Sequence, residues 1–245
     1  MRSTHSTEAI SVIDRVTLVL ECFRPSDRRL GVSELARRAN LPKSTVSRLV
    51  SELIDHRYLE REGSGVRLGL RLFELGELAA QPKSLRTLAL ETMVDLRDAI
   101  GETVQLVVLD GSDVLCLGVL HAGHTVAAMP RVGGRVPAHS TAAGRVLLAF
   151  CGPDALARSM PAGSTGPVPT TLHNDLARIR ELGVAYDLDP ETSRATGVAG
   201  VILAADGSPR AAIAALGVAG EFAADRIAPA VRTAALALSA LQAPV

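Results

Sequence analysis

The chain has 245 residues, 47% of them hydrophobic and 21% charged, with 26 Lys plus Arg balancing 26 Asp plus Glu. That composition supports a buried core and excludes a disordered chain, and zero net charge excludes a polycationic nucleic-acid coat. No apolar run reaches the ~18 residues of a membrane span, and residues 1–8 are polar, so the expectation is a soluble cytoplasmic protein. Three widely spaced cysteines, Cys22, Cys116 and Cys151, fit a reducing compartment better than a disulfide scaffold.

Charge is uneven along the chain. Residues 28–71 hold 10 basic and 5 acidic side chains, a local net of +5. Residues 9–23 read as a first helix, with Ile13, Val16, Leu20 and Phe23 at three- and four-residue steps. Ser33 opens a second, with Leu35, Ala36 and Ala39 inward and Arg37 and Arg38 outward; Asn40-Leu41 breaks it. Pro42 then stands at the start of a third helix, where proline is tolerated.

In that third helix Val46, Leu49, Val50, Leu53 and Ile54 form an apolar stripe. The opposite side carries Lys43, Ser44, Ser47, Arg48 and Ser51, cations and short hydroxyls without an acid among them. A purely solvated face would mix in Glu or Asp, whereas this set suits phosphates and base edges. Lys43, Ser44, Thr45, Ser47 and Arg48 are the expected DNA contacts, Arg48 the one able to grip guanine bidentately. Two strand-like runs follow, Tyr58–Arg61 and Val66–Leu68, joined by Gly63-Ser64-Gly65. Helix pair plus hairpin reads as a winged helix-turn-helix, with Arg61 and Arg67 flanking the wing tip.

Residues 35–49, LARRANLPKSTVSRL, resemble the helix-turn-helix of the IclR family of bacterial transcriptional regulators. The stretch 133–149, GGRVPAHSTAAGRVLLA, is similar to that family's effector-domain segment, a Gly-Arg-x-Pro strand leading into a His-containing loop and helix. Leu182–Asp187, Gly197–Val201 and Asp206-Gly207 match in the same order. The resemblance implies an α+β chain: a winged helix-turn-helix over 1–69, a linker helix over 70–80 and a GAF-like effector-binding domain over 81–245. It also implies a homodimer or dimer of dimers on a pseudo-palindromic double-stranded operator, controlled by a small molecule and needing no cofactor.

The second half read on its own gives a helix over 85–100, a hairpin of Thr103–Leu109 and Val114–Val119 around Asp110-Gly111, and a candidate strand at Val126–Met129. A helix over Thr141–Phe150 follows, then one over Leu172–Leu182, strands at Val201–Ala205 and Ala211–Val218, and a closing helix over Ile227–Leu241. Strand pairs with flanking helices predict an antiparallel or mixed sheet.

The amino end of the 141–150 helix offers free N–H groups to an anion, and Ala142, Ala143 and Gly144 leave room for a carboxylate; the same small residues also serve close helix–sheet packing. What the resemblance implies is an effector pocket using Ala142 and Ala143 amides, Met129 and Val132 as apolar lining and Asp187 as a polar contact. Gly200 replaces a frequent cysteine of the family, Gly217 and Ala219 replace frequent serines, and Asp189 or Glu191 could stand in for Asp187. Those three replacements predict a pocket for a carboxylate effector larger or more apolar than a two- or three-carbon acid, an aromatic acid for instance.

Other chemistry is weak. His121 and His124 lack further metal ligands nearby, His139 suits a structural hydrogen bond, and Ser164 lacks nucleophile-elbow spacing. No phosphate-binding glycine loop occurs. The alternative to a non-enzymatic regulator is a GAF-like thiol redox enzyme with a vestigial helix-turn-helix, which would need Cys116 and Cys151 brought together.

Overall fold

The computed structural model describes residues 11–123, 130–160, 170–187 and 195–241. The chain divides between Ala80 and Gln81 into two compact units.

In the first unit, α1 (Val12–Glu21) starts at a capping box, with Ser11 Oγ accepting from Asp14 N–H and Asp14 accepting from Ser11 N–H. It is shorter at both ends than the periodicity predicts. α2 (Val32–Ala39) starts one residue before Ser33; Gly31 holds the cap position without a side-chain bond. Asn40 ends it in the left-handed region (φ 52°), a conformation an asparagine tolerates, and this swings the chain into α3 (Lys43–Asp55). Pro42 lies just ahead of α3, in the cap position rather than its first turn.

Arg38 corrects the outward expectation. Its guanidinium bonds Asp27, Glu34 and the Cys22 carbonyl, and its side chain is 18% exposed, so it ties α2 to the preceding loop. Val19, Leu35, Val46, Leu49, Leu53, Leu59 and Val66 form the core of this unit.

β1 (Leu59–Glu62) and β2 (Gly65–Leu68) make the wing hairpin, and Leu30 adds a bridge to Val66. α4 (Leu70–Glu77) stops at Leu78, short of the predicted linker's end. The next helix, α5 (Ala80–Ile100), takes in Gln81 and Pro82, so that dipeptide opens a helix rather than separating two elements; a proline in the first turn gives up an N–H that has no helical partner.

The second unit is a six-stranded sheet in the order β5-β4-β3-β8-β7-β6, every pair antiparallel. Its strands are β3 (Thr103–Asp110), β4 (Asp113–Leu120), β5 (Arg135–Pro137), β6 (Val184–Tyr186), β7 (Ala195–Leu203) and β8 (Pro209–Val218). The β3–β4 turn is Gly111-Ser112, one residue later than predicted, because Asp110 still pairs with Asp113. β7 begins six residues before the predicted start: Gly197 and Gly200 interrupt the apolar run in sequence but pair without a break. The predicted strand at 126–129 lies outside the described residues.

α5 and α9 (Ala224–Ala240) cover one sheet face, where Leu85, Met93, Val231 and Leu238 meet Leu106, Ile202 and Ile213. α6 (Ala142–Phe150), α7 (Pro153–Arg158) and α8 (Thr170–Leu182) cover the other, where Leu147, Leu156 and Leu176 meet Val107, Ala199 and Ala212. Two apolar helix layers on an antiparallel sheet make this an α+β domain.

Candidate DNA-reading face and ligand cavity

In α3 the stripe Val46, Leu49, Val50 and Leu53 is buried, which forces Lys43, Ser44, Ser47, Arg48 and Ser51 outward, all exposed; Thr45 is half-buried. No acid lies in the first turn, and Pro42 supplies no side-chain cap, so the cationic amino end also presents free backbone N–H groups. Arg48 is 70% exposed, with Glu52 3.8 Å away. Such an exposed i,i+4 pair is worth only ~0.3–0.5 kcal/mol, so the guanidinium is readily redirected.

The wing arginines separate. Arg61 pairs across the hairpin with Val66 and Arg67 with Glu60, so alternation puts them on opposite faces. Arg67 donates twice to Glu60 Oε2, at 3.2 and 3.0 Å, and lies 3.9 Å from Glu62. Glu60 is held below the usual carboxylate range by the Leu70 N–H and then by Arg67. Arg61 is exposed and has no acidic partner among the described residues, which leaves it the more available of the two.

On the second unit, two amides at the amino end of α6, those of Ala142 and Gly144, are answered from within. Thr141 Oγ1 accepts from Gly144 N–H at 3.0 Å, and Asp187 Oδ1 accepts from Ala142 N–H at 2.6 Å. Asp187 therefore occupies an amide expected to hold a ligand. Burial pushes its carboxyl above the usual range, opposed by the Ala142 N–H and by the charge of Arg145. Gly144 sits against the backbone of Ala138, where any Cβ would collide, so Ala-Ala-Gly does serve close packing.

Sequence reasoning missed Arg145, the one charged residue of the apolar run AAGRVLLAF. It is 1% exposed, bonds Asp175 at 2.5 Å and the Tyr186 carbonyl, and its Nε has no partner among the described residues. His139 sits half-buried in the 3-10 turn before α6, its Nδ1 likewise without a partner there.

Gly200, Gly217 and Ala219 do not join Ala142 and Ala143. A Cβ on Gly200 would meet Ala235 and Val231 of α9, and one on Gly217 would meet Phe222 and Glu102, so both glycines face the α5/α9 side. Ala219 follows β8 in the turn toward α9, half-buried. The reason is the strand period of two: residues on consecutive strands share a pocket only if their register puts them on one face. Val132 is 49% exposed on the loop before β5, while Met129, Asp189 and Glu191 lie outside the described residues.

What the α6 side does hold is a cavity of about 220 Å³. Gln105, Val107, Val114 and Cys116 form its floor; Pro130, Arg131, Arg135 and Val136 form its wall. The wall loop is pinned to the floor by Cys116 N–H to Gly134 O (2.9 Å) and Gly133 N–H to Cys116 O (2.8 Å). A larger hollow of about 510 Å³ beyond Asp187 is lined by Asp175, Asp187 and Asp225 against Arg145 and Arg178, an acidic excess that suits a carboxylate poorly. Burial pushes the thiols of both Cys116 and Cys151 up, away from the thiolate that redox chemistry requires.

The family model of the IclR helix-turn-helix domain matches residues 12–63, and that of the bacterial transcriptional regulator IclR C-terminal domain matches residues 78–240. The transcriptional regulator XynR of Escherichia coli is 29% identical over 187 residues, 73% of this chain and 74% of that protein. The transcriptional repressor IclR of the same organism is 25% identical over 233 residues, 91% of this chain and 85% of that one. The solved structure of an IclR homologue from Microbacterium hydrocarbonoxydans, complexed with 4-hydroxybenzoate, has a TM-score of 0.82 and 34% identity, covering 94% of this chain and 98% of that one. With both domain models matched in order, one over the helix-turn-helix and one over the α+β unit, the chain belongs to the IclR family of bacterial transcriptional regulators.

Proposed function

We propose that this family member is a non-enzymatic, cytoplasmic regulator whose hold on operator DNA is set by a one-ring aromatic carboxylate bound in the 220 Å³ cavity. The observation that carries the DNA half is the acid-free exposed face of α3 from Lys43 to Ser51, opposite a fully packed stripe. Arg48 reads a base, Lys43, Ser44, Thr45 and Ser47 position the helix on phosphates and base edges, and the wing touches backbone through Arg61 more than Arg67. A homodimer, or a dimer of dimers, matches two such helices to a pseudo-palindrome.

Cavity size supports the effector class in place of the glycine replacements, which face the other side of the sheet. An engineered apolar cavity of ~150 Å³ holds benzene. A cavity of about 220 Å³ therefore has room for one ring with small polar substituents and is too large for a two-carbon acid to fill. The 4-hydroxybenzoate in the Microbacterium homologue is an acid of this size. The effector acts by binding one dimer geometry more tightly than another, which shifts half-site matching.

The test is nuclease protection on DNA flanking the protein's own gene, with and without benzoate-type acids. Protection that changes with the acid is expected. Absence of protection under all acids would reject the DNA reading, and a thermal-shift screen in which only pyruvate- or glyoxylate-sized acids stabilise the protein would reject the effector class.

A further inference from the structure

The wall and the floor of the cavity differ chemically. The wall, on the β5 side, carries two arginines. Arg135 is already answered: it bonds Asp110 through both its side chain and its carbonyl and has Asp113 at 3.9 Å. Arg131 is exposed and has no acidic partner among the described residues, and its aliphatic stem lies against Gly134 on the cavity wall. The floor carries, on β3 two strands from β5, Gln105, a half-buried amide in an apolar strand, whose side chain has no hydrogen-bond partner among the described residues. Between them lie Val107 and Cys116, paired across β3 and β4 on the same face.

Gln105 lies one side-chain row beyond Val107, about 7 Å along the strand at ~3.3 Å per residue. An apolar floor with a spare cation on the β5 side and, two strand spacings or about 10 Å away, a spare neutral donor–acceptor on β3 fits a ring with a carboxylate and, across from it, a hydroxyl. A benzoate lacking the hydroxyl would leave the Gln105 amide desolvated and unpaired, and an ortho hydroxyl would sit at the wrong end.

Resting on the aromatic-acid reading above, we propose that Arg131 is the carboxylate partner and Gln105 the residue that selects a para-hydroxylated ring. The Ala142 amide does not fill the first role, since Asp187 already holds it.

The experiment is calorimetric titration of the full-length protein with benzoate, 2-hydroxybenzoate, 4-hydroxybenzoate and 4-hydroxybenzamide. Wild type is expected to prefer 4-hydroxybenzoate to both other acids. Gln105→Leu, or Gln105→Met with nearly the same shape, loses about three- to tenfold for 4-hydroxybenzoate, the size of one neutral hydrogen bond, and strengthens benzoate, which no longer strands an amide. Arg131→Gln loses tenfold or more for the acids but little for the neutral amide. An undiminished 4-hydroxy preference in both Gln105 variants, or equal losses of acid and amide in Arg131→Gln, overturns the assignment. Wild type that binds the acids without ranking them also overturns it while sparing the aromatic-acid reading; wild type that binds none of the four overturns both.

Discussion

The buried Arg145–Asp175 pair makes an asymmetric prediction. Arg145 is 1% exposed and Asp175 27%, with the guanidinium also donating to the Tyr186 carbonyl. Removing one member of a buried pair and stranding the other costs ~3–5 kcal/mol. Asp175→Ala strands Arg145, but Tyr186 O and the nearby Asp187 charge remain, and the site is partly open on the Asp175 side. The expected cost is therefore about 2–3 kcal/mol, at or below the low end of that range.

Arg145→Met is different: it keeps most of the volume, removes the partnerless Nε, and leaves Asp175 near solvent to stay charged cheaply. Asp175 is 27% exposed and can stay solvated, so what Arg145→Met loses is the partner of the Tyr186 carbonyl and the charge facing Asp187, about 1–2 kcal/mol. Thermal unfolding should show the Asp175→Ala transition lower by roughly 5–10 °C and the Arg145→Met transition by less, roughly 2–6 °C, at ~2–4 °C per kcal/mol for a domain of this size. If Arg145→Met unfolded earlier than Asp175→Ala, the guanidinium would be a net source of stability and the reasoning would be wrong.

Arg48→Ala should lose ~1–3 kcal/mol of operator affinity and relax specificity at one base per half-site; equal losses on operator and random DNA would mean that Arg48 meets only phosphate. Arg61→Ala should lower affinity and flatten its salt dependence more than Arg67→Ala does, because Arg67 is neutralised by Glu60; the reverse order, measured by titration over a salt series, would contradict that pairing. In the first unit, hydrogen bonds from Arg37 and Arg38 hold Glu34 down at about 2, and Arg38 holds Asp27 below its usual range. A carboxylate whose folded value is depressed stabilises fully above its unfolded value and progressively less as pH falls, so this unit should weaken from about pH 4.5 toward pH 2. Arg38→Met should blunt that acid dependence in circular-dichroism melts, and an unchanged acid slope would place its origin elsewhere.

Local pattern carried the winged helix far. The stripe from Val46 to Leu53 and the Gly-Ser-Gly turn are short-range signals, and they place α3 and the hairpin to within a residue or two. Thr141 as the cap of α6 is equally local. What the sequence by itself determined was thus the order of elements, the outward face of α3 and, through two motifs in series, the family.

Only the tertiary structure decided which side chains meet. Arg38 reads as a surface charge until Asp27 and the Cys22 carbonyl close around it. Asp187 reads as a ligand contact until the 45-residue step back to Ala142 is seen to be closed by their hydrogen bond. Gly200 and Gly217 stand on the opposite sheet face from the α6 end they were expected to shape, while Gln105 and Arg131, 26 positions apart, line one cavity. Helical and strand periods are set within a few residues, but register between strands and closure of long loops are set by the whole core, so composition and spacing cannot supply them.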